Sequence, residues 1–139
     1  MPMKKMLLFI SFSVLIMVSL TSCRAKPYSF KEPIDEIERI EIVSAESSLE
    51  FTVIKTLSET EEKDFLEEFQ KLNFKRYLGD PSGVHGDAIK ITYRSGLYEM
   101  ICFFTTEYVE NGVIRYPRKS CDEDAFNDLL ASFLEDASS

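Results

Sequence analysis

The sequence predicts an α+β fold: a mostly antiparallel sheet of about five strands with two helices on one face, in the order β-β-α-β-β-β-α. Three observations carry this. Several segments alternate apolar and polar residues with a period of two, which suits strands with one face turned to a core. Tight-turn signals join most of them, so neighbours in sequence should pair antiparallel. Two other segments repeat apolar residues at helical spacing on one side only, so each helix should cover the sheet with a single stripe.

Taken in order, "IERIEIVS" sets Ile40 and Ile42 between charged residues, and "LEFTVIKTL" is β-branched and aromatic, so both read as strands around the turn "SAESS". In "LSETEEKDFLEEFQKLNF", Ser58 is placed to cap a helix and Glu61 to complete a capping box. Acids fill the first turns, where the helix dipole favours them. Phe65, Leu66, Phe69 and Leu72 form the apolar stripe, and Asn73 is a suitable stop. "YLGDPSGVHGD" is irregular, because its glycines and proline break regular structure. "AIKITYRSGLYEMICFF" reads as a hairpin turning at Ser95-Gly96. A two-residue turn there pairs positions summing to 191: Tyr93 with Tyr98, Ile91 with Met100, Ile89 with Cys102. That face should meet the core, leaving Glu99, Ile101 and Phe103 on the reverse. Asn111-Gly112 marks another hairpin, with pairs summing to 223, and that register sets Cys102 opposite Cys121. Pro117 would fall where an amide is needed, so the ladder should break or bulge near it. The chain closes on a helix capped by Ser120 or Asp122, with the stripe Phe126, Leu129, Leu130, Phe133 and Leu134.

The beginning of the chain has a different character. Lys4 and Lys5 precede fifteen mainly apolar residues, "MLLFISFSVLIMVSL", and small residues follow. A spanning helix needs roughly 20 apolar residues, so this shorter, serine-containing run reads as a secretory signal. It ends in Leu20-Thr21-Ser22-Cys23, an aliphatic residue, two small residues and a cysteine. This stretch resembles the lipobox of bacterial lipoproteins. The resemblance implies that Cys23 takes a diacylglyceryl group as a thioether, with or without a further N-acyl chain. It implies that a peptidase then removes the signal peptide 1–22, leaving Cys23 as the first residue on the extracytoplasmic face of the cell membrane. Two acyl chains hold a protein stably where one does not. No other cofactor is expected. Residues 23–36 then read as the lipidated N-terminus and a tether, with two prolines and no period, and 37–136 as a single domain. The mature part is also similar to small lipoproteins of Gram-positive bacteria in "LGDP", "AIKITYRSGLYEMI" and "DEDAFNDLL". That likeness implies no activity.

Charge narrows the function classes. The whole chain carries −8; the signal takes two lysines with it, leaving 14 basic against 24 acidic side chains, a net −10. Such a body does not suit nucleic acid. Arg24, Lys26 and Lys31 lie close to the lipid, and each gains about 1 kcal/mol beside an anionic membrane. His85 is the sole histidine, and neither Cys121-Asp122 nor Ser82 stands in a catalytic spacing to it. Zinc wants about four N, S or O ligands, which the sequence does not group, and Asp80 with Asp87 lacks the EF-hand pattern for calcium. No catalytic or metal residue is therefore expected, and the chain reads as no enzyme.

What remains is recognition. The loop 79–87, with Asp80, His85 and Asp87, is the expected recognition element, or equally a plain connector. Tyr93, Tyr98, Tyr108 and Tyr116 offer aromatic surface, and Arg115 and Arg118 offer cations. Cys102 and Cys121 are either inert thiols or a disulfide, as an exported protein allows. The expected function is a lipid-anchored extracytoplasmic binding or interaction module for a protein, peptide or envelope component. An accessory subunit of a membrane complex, docking through its sheet edge or an Ile101/Phe103 face, is the alternative, and an envelope hydrolase a more distant one.

Overall fold

The computed structural model describes residues 26–76, 83–116 and 119–135. After a short 3₁₀ turn at Ile34–Glu36 come β1 (Ile37–Ala45), β2 (Phe51–Thr56), α1 (Glu59–Phe69), β3 (Lys75–Arg76), β4 (Gly86–Tyr93), β5 (Tyr98–Ile101), β6 (Thr106–Glu110), β7 (Val113–Arg115), β8 (Lys119–Ser120) and α2 (Glu123–Glu135). Six strands form one antiparallel sheet in the order β2-β1-β4-β5-β6-β7, and β3 with β8 makes a small second sheet. The α+β architecture is as the sequence predicts. The main sheet has one more strand than expected, because the stretch read as a single strand after Gly96 turns back at Phe103-Phe104, where the Cys102 amide donates to the Thr105 carbonyl.

Both helices pack on one face. Phe65 and Phe69 of α1 and Phe126, Leu129, Leu130 and Phe133 of α2 share a core with Ile40, Ile42, Ile89, Ile91, Tyr93 and Ile101 of the sheet. The capping box forms: the Glu61 amide donates to the Ser58 hydroxyl and the Ser58 amide to the Glu61 carboxylate. Asp122 caps α2 by accepting from the Ala125 amide at 2.9 Å. Lys55, on edge strand β2, ties the layers together by donating to Glu61 at one helix and to the Phe133 carbonyl at 2.8 Å on the other.

The two hairpins test the register rules differently. At Asn111-Gly112 both residues take positive φ (52° and 76°), and pairs run Glu110 with Val113, Val109 with Ile114 and Tyr108 with Arg115, the expected register. At the earlier hairpin the loop has three residues, Arg94-Ser95-Gly96. Gly96 takes φ +94°, its amide donates to the Tyr93 carbonyl, and the Tyr93 amide donates to the Leu97 carbonyl. Pairs therefore sum to 190, with Ile89 opposite Ile101 and Ile91 opposite Glu99. A slip of one residue sends every side chain of β5 to the opposite face. Ile101 belongs to the main core with Phe103 packed against it, while Met100 and Cys102 join Val43, Ala45, Val84 and Ala88 on the reverse. The expected exposed Ile101/Phe103 face does not exist, and Cys102 is not the core partner of Ile89.

The expected tether also needs correction. Lys26 pairs with Phe74 through two backbone hydrogen bonds, and Tyr28 is buried against Phe69 and Phe74. Phe30 packs edge-on to Tyr28. The folded unit thus includes at least residues 26–36, eleven residues before the boundary that proline content suggested.

Candidate functional site

The register shift turns Glu99 into the core, where it is 1% exposed. A buried carboxylate is costly unless donors surround it, and this one has three. The Tyr28 hydroxyl donates to one carboxylate oxygen at 2.5 Å, and the Tyr93 hydroxyl donates to the other. The Lys31 amide adds a longer bond of 3.3 Å. Burial pushes the Glu99 carboxyl above its ordinary range, and the two phenols pull part of the way back. Burial, and then the neighbouring carboxylate, drives the Tyr28 and Tyr93 hydroxyls upward, so both stay protonated as donors. Around this centre the Lys31 ammonium stands 4.2 Å from the Tyr108 ring centroid, and the Lys119 ammonium 5.7 Å from that of Tyr28. The carboxylate is sealed from solvent. What it does is mechanical: it fastens the N-terminal segment to the middle of the sheet.

The reverse face carries two further buried carboxylates. Glu107 accepts from the Ser48 hydroxyl (2.8 Å) and the Val84 amide (2.7 Å), so it pins the loops at 46–50 and 83–85. Glu41 lies 3.7 Å from the Lys90 ammonium, which sits 4.6 Å from the ring centroids of both Phe51 and Tyr98. Burial lowers the Lys90 ammonium below its ordinary range, with Glu41 opposing that shift. These groups satisfy one another and hold the second layer of side chains together.

The residues expected to recognise a ligand do not converge. Asp80 and Arg118, like Pro117 and Cys23, lie outside the described residues. His85 is exposed, rests on the Phe104 ring at 4.7 Å, and keeps Nδ1 3.0 Å from the Gly83 carbonyl oxygen. Asp87 sits on β4 opposite Ser44 and is exposed. Among the described residues no group of three His, Cys, Asp or Glu side chains stands together as a metal set. Tyr93 is core, Tyr98 is half-buried with its hydroxyl on the Ser48 carbonyl, and Tyr116 is exposed. Cys102 and Cys121 are thiols. They are neighbours, for the Cys121 amide donates to the Phe103 carbonyl at 2.8 Å. Burial raises the Cys102 thiol, and burial, then Asp122, pushes Cys121 up to about 12, so neither is a ready nucleophile.

Comparison with protein-family models, with curated proteins and with solved structures yields no match, so the arrangement is read from its own chemistry. The residue that the linear sequence hid is Glu99. One signal pointed to it: "RSG" with glycine third fits a three-residue turn closed by a left-handed residue, which would have set the register correctly.

Proposed function

We propose that this chain is a lipid-anchored, extracytoplasmic binding or interaction module, not an enzyme, held on the membrane through diacylated Cys23. The carrying observation is Leu20-Thr21-Ser22-Cys23 directly after a basic start and a short apolar run. The placement of Lys26 and Tyr28 on the folded body gives that reading a physical sense, because the chain is fastened three residues beyond the lipidated position. Three residues extend at most about 10 Å, so the domain would ride close to the lipid headgroups instead of on a long leash. Buried, mutually satisfied carboxylates and high thiols favour a binding role over catalysis.

The test is metabolic labelling with palmitate in a bacterial host. Incorporation into the wild-type chain, its loss in Cys23→Ser, and release of that variant from the membrane fraction are expected. A labelled Cys23→Ser protein, or one retained and processed as before, defeats the reading.

A specific observation also supports the accessory-subunit alternative. β2 is an edge of the main sheet, and Leu49, Val53 and Ile54 on or beside it are 51%, 42% and 48% exposed. An open edge flanked by apolar side chains suits strand addition by a partner. Crosslinking from residue 52 in intact cells would capture that partner, and a Val53→Lys change would reduce the capture.

A further inference from the structure

We propose that the small ribbon around β3 is a membrane-contact face that lies on anionic lipid headgroups beneath the lipidated cysteine. The inference rests on the anchoring proposed above and deepens it by giving the domain an orientation. Three separate pieces of chain meet in this ribbon. Phe74–Arg76 pairs with Lys26 through Phe74, and with Lys119 and Ser120 through Arg76 and Lys75. The fold thus gathers Lys26, Lys75, Arg76 and Lys119 within neighbouring strands roughly 5 Å apart, with Arg76 and Lys119 paired on one face of the ribbon and Lys75 on the other. Lys26, Lys75 and Arg76 are exposed and Lys119 is half-exposed.

Two features favour an external anion for this cluster, of which, among the described residues, Lys119 alone also has an internal contact, its ammonium over the Tyr28 ring. Arg76 lies directly opposite Lys119, and like charges in a cross-strand pair repel. Nor does any of the four stand within ion-pairing distance of an acidic side chain among the described residues, although the body is strongly acidic. Arg39, Lys55, Lys71 and Lys90 each do find a carboxylate, whereas the exposed Lys63, Arg94 and Arg115 do not, so it is the clustering of the four that sets the ribbon apart. The acids nearest in sequence, Asp122, Glu123 and Asp124, are exposed at the start of α2, and Asp122 and Glu123 line the same groove as Lys75, so the ribbon's attraction rests mainly on Lys26, Arg76 and Lys119.

Location decides the partner. Lys26 is three residues from Cys23, a span of at most about 10 Å. That is close to the screening length of roughly 8 Å at physiological salt, so a lipidated chain holds the ribbon inside the range of a negative surface potential. The exposed acids of α1 (Glu59, Asp64, Glu67, Glu68) are repelled by the same surface. Attraction at the ribbon and repulsion elsewhere turn the domain ribbon-down, leaving the rest of it available to a partner.

The test uses the lipidated mature protein on phosphatidylcholine vesicles, with and without phosphatidylglycerol. Amine labelling of each lysine is read by mass spectrometry. Lys26, Lys75 and Lys119 are expected to be several-fold protected on the anionic vesicles at low salt, with Lys63 unchanged as an internal reference. High salt should remove the protection. Lys75→Gln/Arg76→Gln should weaken anionic binding roughly fivefold per cation lost while leaving the labelling of Lys63 as it was. Equal labelling of Lys75 and Lys119 on both vesicle types overturns the proposal. Flotation with pure phosphatidylcholine reads the anchor separately: a protein that fails to float there has no lipid anchor, and the footprint on phosphatidylglycerol then decides the ribbon alone.

Discussion

Glu99 is a carboxylate in an apolar core, and its energetics follow from what surrounds it. Removing the acceptor strands two buried phenol donors, so Glu99→Ala is expected to destabilise the fold by about 3 kcal/mol in denaturant titration. Tyr28→Phe removes one donor and leaves the acceptor a second, so its cost should be nearer 1 kcal/mol. The pH response has a definite sign. Burial raises the folded carboxyl above its ordinary value of 4.5, so the native state holds the proton more tightly than the unfolded chain. Its contribution is fully present below about 4.5 and is lost as pH rises through the raised folded value. Relative to Glu99→Gln, which does not titrate, the wild type should gain melting temperature as pH is lowered from 7 towards 5. A difference independent of pH would contradict the buried, raised carboxyl. Nothing in the composition of "LYEMI" announces this residue, because whether it meets water or core depends on a loop two residues away.

The elements differ in how locally they are determined. α1 begins where Ser58 and Glu61 say it should, since a capping box satisfies its own amides without help from distant residues. Ser58→Ala should therefore cost about 1 kcal/mol, measurable as a shift in denaturant midpoint with unchanged slope. The stripe of α2 is equally local, and Phe126, Leu129, Leu130 and Phe133 are all buried. Asn111-Gly112 set its register correctly because both residues tolerate the left-handed region that a two-residue turn demands. Ser95-Gly96 did not, because the glycine closes a three-residue loop, Arg94-Ser95-Gly96, as the backbone bonds of Tyr93 with Gly96 and Leu97 show, and a reading as a two-residue turn slips the register by one. Gly96→Ala isolates the backbone cost: a Cβ there would meet nothing within 4 Å, so the loss, about 1 kcal/mol, would come from φ +94° alone.

At the scale of the whole molecule, the N-terminal segment decides where the domain begins. Tyr28 and Phe30 complete an aromatic cluster with Phe69 and Phe74. A chain starting at residue 37 should lose on the order of 3–5 kcal/mol relative to one starting at residue 26, seen as a lower unfolding midpoint. Equal midpoints would restore a free tether. The sequence by itself determined the fold class, both helices with the Ser58 cap of the first, the later hairpin and the basic-apolar-cysteine opening, because each rests on residues a few positions apart; the first helix ends at Phe69, before the expected stop at Asn73. Only the tertiary structure decided that Glu99 faces inward, that residues 26–36 belong to the body, and that Lys26, Lys75, Arg76 and Lys119 form one basic ribbon. Those features depend on strand register and on contacts between distant parts of the chain, and a one-residue slip in pairing is enough to reverse which side chains a core receives.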